Sequence, residues 1–260
     1  SLSGTMGSYK SSMAVMLANI LTKAEKGRCE GVFSFKPVGS PRKDIDDDTD
    51  GMRSRPGLEL PGDIYGKLVN NNPRITPEDV VDTLSHLIEG DFKVGVYDEC
   101  HMAGLVMRPV IRAARDFHNL GLITVSLTTD IGGRNISTTL ALNRMADLRL
   151  GPFFPRCAEE ECSNLGTRHQ LYIDGVIPVY DGFRAIGGDT TKDETPQPTG
   201  KPTFKVFCKE SHWTEPELAP GYVEPGRGIP KITEAEREVI DLMHSRDLIP
   251  RNITEEYFLR

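Results

Sequence analysis

Residues 3–12 read SGTMGSYKSS, and residues 94–102 read VGVYDECHM. The first stretch opens on Gly4 and Gly7 and passes through Ser8 and Tyr9 to Lys10, Ser11 and Ser12. Backbone N–H groups of a tight glycine loop, backed by a helix N-terminus, form an anion site; a lysine that follows neutralises the outer phosphates, and the next hydroxyl ligates magnesium. The usual pattern, GxxxxGK[ST], puts glycine directly before the lysine, because a side chain there crowds the loop or forces an unfavourable φ. This chain has Tyr9 at that point. The candidate phosphate loop is thus Gly4, Thr5, Met6, Gly7, Ser8, Tyr9, Lys10, Ser11 and Ser12, and the same residues also suit a Ser/Gly-rich turn that only caps a helix. A phosphate loop normally hangs from a buried strand. Only Ser1–Ser3 precede Gly4 here, so either that strand is very short or the chain starts late.

In the second stretch Asp98 and Glu99 close an apolar strand, where adjacent acids are costly unless they bind something. One acid can hold a magnesium-bound water while the other accepts a proton from an attacking hydroxyl. The plainer alternative is a strand-end acid capping the next helix. His101 reads as a position-holding or core histidine before a catalytic one, and the other histidines outside the metal motif carry no functional reading.

Around these two stretches the pattern is α/β. MAVMLANILTKAEKG has helical spacing with a stop at Gly27, and Gly31–Phe35 reads as a short buried strand ending at Lys36-Pro37. The Asp-, Pro- and Gly-rich run after it is a solvated loop. Thr76-Pro-Glu-Asp starts a helix that stops near Gly90, with Thr76 as N-cap and acids in the first turn. Phe92–Tyr97 and Leu122–Thr128 lack clean alternation, as strands covered on both faces do, and a helix lies between them over 106–119. Strands alternating with helices at this spacing predict a parallel, doubly covered sheet. After Leu150 the texture changes to turn glycines, cysteines and short β-like pieces, read as a small second domain over 151–214. Residues 196–202 are a loop insert. Residues 215–260 form a C-terminal extension with one helix, Thr233–Ser245, packed on the body or on a neighbouring subunit.

Cys157-x4-Cys162 and Cys208-x3-His212 supply four soft ligands in two close pairs, which fits a closed tetrahedral structural zinc site; buried unligated cysteines are the alternative. Cys29 and Cys100 read as packing residues. The chain has 260 residues, 31 basic and 38 acidic, for a net charge of −7, so composition gives no footprint for nucleic acid or an anionic membrane. No apolar run approaches a bilayer span, and the first residues do not read as a signal peptide. The expectation is a soluble, cytoplasmic protein.

Taken in order, SGTMGSYKSS, a strand ending in KP, SRPG, DECHM, LTTDIGGRNIS, a two-cysteine knuckle, GTR, IGG and a final Cys/His pair resemble the zinc-containing, RecA-like (type II) class of thymidine kinases over roughly residues 3–213. The resemblance implies a RecA-like P-loop domain over 1–150, with a parallel sheet covered by helices, and a small zinc-binding lasso domain. It implies ATP, Mg2+ and structural Zn2+ as cofactors, a nucleoside as substrate and a homo-oligomer, a tetramer. Glu99 would be the general base toward the 5′-hydroxyl of thymidine or a related pyrimidine deoxynucleoside. Lys10 and the loop amides would hold the ATP phosphates, with Ser11 and Asp98 positioning magnesium. Met102, Arg134, Leu165, Gly166, Thr167, Arg168, Gly187, Gly188 and Phe204 would line the nucleoside site. Tyr9, His101 and Met102 depart from the family pattern, as do the insert at 196–202 and the last 45 or so residues. A changed base, a nucleotide acceptor, a catalytically impaired binding or assembly module, and a P-loop ATPase using the acid pair on water all stay open.

Overall fold

The computed structural model describes residues 1–6, 8–21, 31–37, 52–53, 59–69, 72–180, 202–222 and 232–259. Its strands are β1 (Leu2–Gly4), β2 (Val32–Pro37), β3 (Met52–Arg53), β4 (Glu59–Leu60), β5 (Gly62–Tyr65), β6 (Lys67–Val69), β7 (Asn72–Arg74), β8 (Val94–Tyr97), β9 (Gly121–Leu127), β10 (Leu150–Phe153), β11 (Arg168–Ile173) and β12 (Pro202–Phe207). Its helices are α1 (Lys10–Leu21), α2 (Pro77–Glu89), α3 (Met107–His118), α4 (Ser137–Met145), α5 (Glu234–Ser245) and α6 (Glu255–Leu259). A run of 3-10 turns over Cys100–Val106 links β8 to α3.

Six strands form one sheet in the order β10-β1-β9-β8-β2-β5, and every neighbouring pair is parallel. Side chains alternate across its faces. Val94 and Val96 of β8 join Leu2, Val32, Ile123 and Val125 against Ala14, Val15 and Ala18 of α1. Tyr97, with Phe35, points the other way into a core made with Val80, Leu84 and Leu87 of α2, Val110 and Ala113 of α3, and Val239, Ile240 and Met243 of α5. Burial on both faces explains the apolar runs of β8 and β9. Each large side chain so buried contributes roughly 1.5–3 kcal/mol.

The start of α2 is held as its sequence dictates. Asp79 N–H donates to Thr76 Oγ1 (3.3 Å), Thr76 N–H donates to Asp79 Oδ2 (2.8 Å), and Pro77 occupies the first turn, where no N–H is needed. Thr233 and Glu236 repeat the device at α5.

Several elements differ from the sequence expectation. The strand before the glycine loop is the very short one among the two expected alternatives, three residues long, and is kept by parallel pairing on both sides, with β9 and β10. The strands expected at 92–97 and 122–128 are Val94–Tyr97 and Gly121–Leu127. The main sheet runs past the expected boundary at 150, because β10 pairs with β1. Helix α4 and edge strand β5 join the first unit unannounced. The described residues of the C-terminal extension carry two helices where one was expected, and they pack on the body: Val239, Ile240, Met243, Ile249 and Phe258 belong to the main core. Its anchor is a bidentate pair, Arg108 Nε to Glu236 Oε1 (2.5 Å) and Nη2 to Oε2 (2.8 Å), with Glu236 almost fully buried. The expected helix stop at Gly27, Cys29, most of the acidic loop and most of the insert at 196–202 lie outside the described residues. Among the described residues no helix is long and apolar enough to cross a membrane.

Candidate functional site

In a parallel α/β sheet, ligands bind beyond the carboxyl ends of the strands. Three such ends, of β1, β8 and β9, are adjacent here and carry the loops that the sequence singles out. The loop after β1 is pinned at its entry: Thr5 N–H donates to Phe153 O (3.0 Å) and Thr128 N–H to Gly4 O (3.1 Å). Gly4 must be glycine, since a Cβ there would lie 2.3 Å from Phe153 O. Ser8 Oγ and Lys10 Nζ both donate to Thr5 O at 2.7 Å, so the buried lysine folds back over its own loop. Tyr9 has φ +60°, the left-handed region that the missing glycine would occupy without strain, and its side chain is 66% exposed. The ring therefore projects into solvent instead of filling the loop. Gly7 lies outside the described residues.

Strand β8 delivers the acids to the same end. Ser11 Oγ donates to Asp98 Oδ2 (3.2 Å), and the other carboxylate oxygen accepts from Glu99 N–H (3.0 Å). Glu99 itself adopts a left-handed conformation, φ +46°, which turns the chain out of the strand into the 3-10 run that carries Met102. Its Oε2 lies 3.5 Å from Nδ1 of His101. That contact is not an ion pair. Burial, and then the charge of Lys10, pull the His101 imidazole down to about 3, and Nδ1 accepts from Leu127 N–H (3.4 Å). His101 is thus a neutral core histidine that ties the acid segment to β9.

The loop after β9 holds a cluster that the sequence does not reveal. Asp130 is buried, accepting from Tyr180 Oη (2.6 Å) and from Arg134 N–H (2.8 Å), and burial raises its carboxyl above the usual range. The Arg134 guanidinium lies 4.5 Å from the centre of the Tyr180 ring and 5.5 Å from that of Tyr222. Residues 217–219 hold Tyr180 through Tyr180 N–H to Glu217 O (2.7 Å) and Ala219 N–H to Tyr180 O (2.9 Å). Neither tyrosine sits in a motif, so no sequence signal could have found them.

Strands β11 and β12 form an antiparallel hairpin carrying Arg168 and Phe204, with Leu165, Gly166 and Thr167 leading into it. Cys157 and Cys162 precede the hairpin, and Cys208 and His212 follow it. Their ligand atoms all lie within 4.8 Å of one another. Cys162 Sγ is 3.8 Å from Cys208 Sγ, and His212 Nδ1 is 3.5 Å from Cys157 Sγ and 3.2 Å from Cys208 Sγ. Zinc–sulfur bonds of about 2.3 Å in a tetrahedron give sulfur–sulfur edges of about 3.8 Å, so the donor set fits zinc in type and in spacing. Burial pushes the Cys208 thiol up, but the Ser211 backbone N–H, His212 and Cys162 outweigh it and bring the group down to about 6, toward the thiolate that a metal needs.

The hairpin also grips the loop after β1. Thr5 Oγ1 donates to Gly166 O (3.0 Å), and Met6 N–H donates to Nε2 of His169 (2.8 Å). Nδ1 of the same ring lies 3.1 Å from Thr129 O, which assigns the proton to Nδ1. Phe204 and Met6 pack on one apolar cluster with Leu127, Ile131 and Tyr180. His169 was not singled out by sequence, where it is one residue of an ordinary alternating strand. Leu165 is 54% exposed. Gly187 and Gly188 lie outside the described residues.

The structure brings Lys10, Ser11, Asp98 and Glu99 to one end of the sheet and sets Gly166 and Phe204 beside the loop. Fold and site together define an α/β protein with a six-stranded parallel sheet flanked by helices, compatible with a Rossmann- or P-loop-like fold, and a Cys3His cluster able to hold a metal ion such as zinc. No model of a known protein family matches the chain, and a search of curated proteins returns no match.

Proposed function

We propose that this chain is a divergent zinc-containing, RecA-like thymidine kinase that transfers the γ-phosphoryl group of ATP to the 5′-hydroxyl of thymidine or a related pyrimidine deoxynucleoside. The observation that carries the reading is the Ser11–Asp98 hydrogen bond, with Lys10 and Glu99 on either side of it in sequence. A hydroxyl at the start of a helix and a carboxylate at a strand end, already in contact, are the pair that holds magnesium on a nucleotide in P-loop enzymes.

Ser11 and Asp98 would hold magnesium, which would supply positive charge against the charge developing on the transferred phosphoryl group. Lys10 leaves Thr5 O for the phosphate oxygens. Glu99 takes the proton of the 5′-hydroxyl as that oxygen bonds to the γ-phosphorus and the bond to ADP breaks. Charge stabilisation by the lysine and by loop N–H groups is the larger contribution. The hairpin, with Phe204 as its aromatic and residues 165–168 at its base, covers the nucleoside, and Met102 and Arg134 border the same space. The tetramer is part of the same proposal.

Two observations favour a second reading, a related module that has lost catalysis. Lys10 Nζ is committed to Thr5 O, and Tyr9 stands in the glycine position. Incubation with γ-labelled ATP and a panel of deoxynucleosides and their monophosphates separates the two. Label on a pyrimidine deoxynucleoside supports the kinase, label on a monophosphate changes the acceptor class, and no label on any acceptor removes the kinase. Phosphate release without an acceptor supports an ATPase instead.

A further inference from the structure

One peptide unit joins the phosphate loop to the metal hairpin. Its carbonyl, Thr5 O, accepts from both Ser8 Oγ and Lys10 Nζ, while its N–H, on Met6, donates to His169 on the opposite side. A peptide unit is planar, so fixing its N–H also fixes the direction of its carbonyl. His169 therefore sets where Lys10 and Ser8 rest. The ring is fully buried and is itself held by Thr129 O, so it cannot swing to follow a moving loop.

What holds His169 is the metal hairpin. His169 pairs with Val206 across β11 and β12, and its carbonyl accepts from Trp213 Nε1 (3.0 Å), the residue next to His212. Thr214 N–H reaches Gln170 Oε1 (2.9 Å). A two-stranded hairpin alone is marginally stable in water. Here one cysteine pair lies just before β11 and the Cys/His pair just after β12, so a bound metal closes the hairpin at its base.

We infer that metal binding at the Cys3His cluster and polyphosphate binding at the loop are positively coupled, with His169 as the positioning residue that transmits the coupling through its bond from Met6 N–H. The inference rests on the reading of the loop as a polyphosphate site. By linkage, polyphosphate must tighten metal binding by the same factor as metal tightens polyphosphate binding.

Hydrogen exchange of the Met6 amide tests the latch without any nucleotide. In the zinc-loaded protein, chelation should reduce protection at Met6 at least about tenfold while the Val96 and Val125 amides of the sheet stay protected. His169→Ala with zinc retained should deprotect Met6 equally, chelation should then add little, and His169→Gln, which offers an acceptor oxygen, should restore part of the protection. Mg-ATP affinity by calorimetry should fall about tenfold on chelation of the wild type and change little on chelation of His169→Ala. Unchanged Met6 protection in apo protein or in His169→Ala overturns the inference. If chelation also melts the sheet, zinc-loaded His169→Ala decides alone. A wild type that binds no Mg-ATP removes the polyphosphate half and the kinase reading together, whereas binding without coupling removes the inference only.

Discussion

Ser11 Oγ and Asp98 Oδ2, 87 positions apart in the chain, stand 3.2 Å apart where β1 and β8 end. The glycine-loop helix and the acid-bearing strand are thereby locked in one relative position, and Glu99 is the next residue. If Glu99 is the base, Glu99→Gln keeps shape and burial but cannot take a proton. Turnover is expected to fall about 10²–10⁴-fold with Mg-ATP affinity unchanged, read by phosphoryl-transfer kinetics beside calorimetry. Unaltered turnover would reassign the base.

Tyr9 tests what the left-handed loop position demands. At φ +60°, glycine relieves strain of about 1–2 kcal/mol but adds roughly 0.5–1 kcal/mol of unfolded-chain entropy. Tyr9→Gly should remain within about 1 kcal/mol of wild type. Tyr9→Val places a β-branched residue where it fits worst and should lower urea-unfolding stability by about 1–2 kcal/mol. Since the ring projects into solvent, Mg-ATP affinity should survive in Tyr9→Gly.

Two buried neutral imidazoles give an acid dependence of known sign. Burial and then the charge of Lys10 bring both His101 and His169 down to about 3 in the folded chain, against 6.5 for an unperturbed ring. Between those values the unfolded chain binds protons that the folded chain refuses. The stabilising contribution is therefore complete above pH 6.5 and is lost as pH falls, at up to about 1.4 kcal/mol per pH unit for each ring. Urea melts of His101→Gln between pH 4 and 7 should show a shallower slope than wild type; an equal slope would mean that His101 is charged in the fold.

A buried ion pair, beside the apolar contacts, ties α5 of the C-terminal extension to α3. Glu236→Ala leaves the Arg108 guanidinium facing a vacated carboxylate site and also opens the capping box at Thr233. The expected cost is about 3–5 kcal/mol in urea unfolding, with loss of α5 protection in hydrogen exchange. A cost within about 0.5 kcal/mol would class the pair with exposed surface ion pairs.

The parts of the fold written in local sequence were legible. Thr76-Pro-Glu-Asp carries its own cap chemistry, and the runs VGVY and LITVSL can be buried only inside a covered sheet. The Cys3His cluster was legible for the same reason, as residue types at a spacing. What escaped is set by tertiary pairing. LGPF straddles the point after Leu150 where the texture of the sequence changes, yet it enters the sheet beside β1. Strand β5 lies in a loop-like sequence and is aligned by β2. Asp130, Tyr180 and Tyr222 meet only because separate loops converge, His169 reaches Met6 from a strand far along the chain, and no periodicity encodes either meeting.

The central claim is that the loop after β1 and the acids after β8 share one polyphosphate. Calorimetric titration of ATP into wild type and Lys10→Ala, each with and without Mg2+, tests it most directly. The account predicts one-to-one, Mg2+-dependent binding by wild type and a loss of at least about 100-fold in Lys10→Ala. Absence of binding by wild type, or equal binding by both proteins, would contradict it.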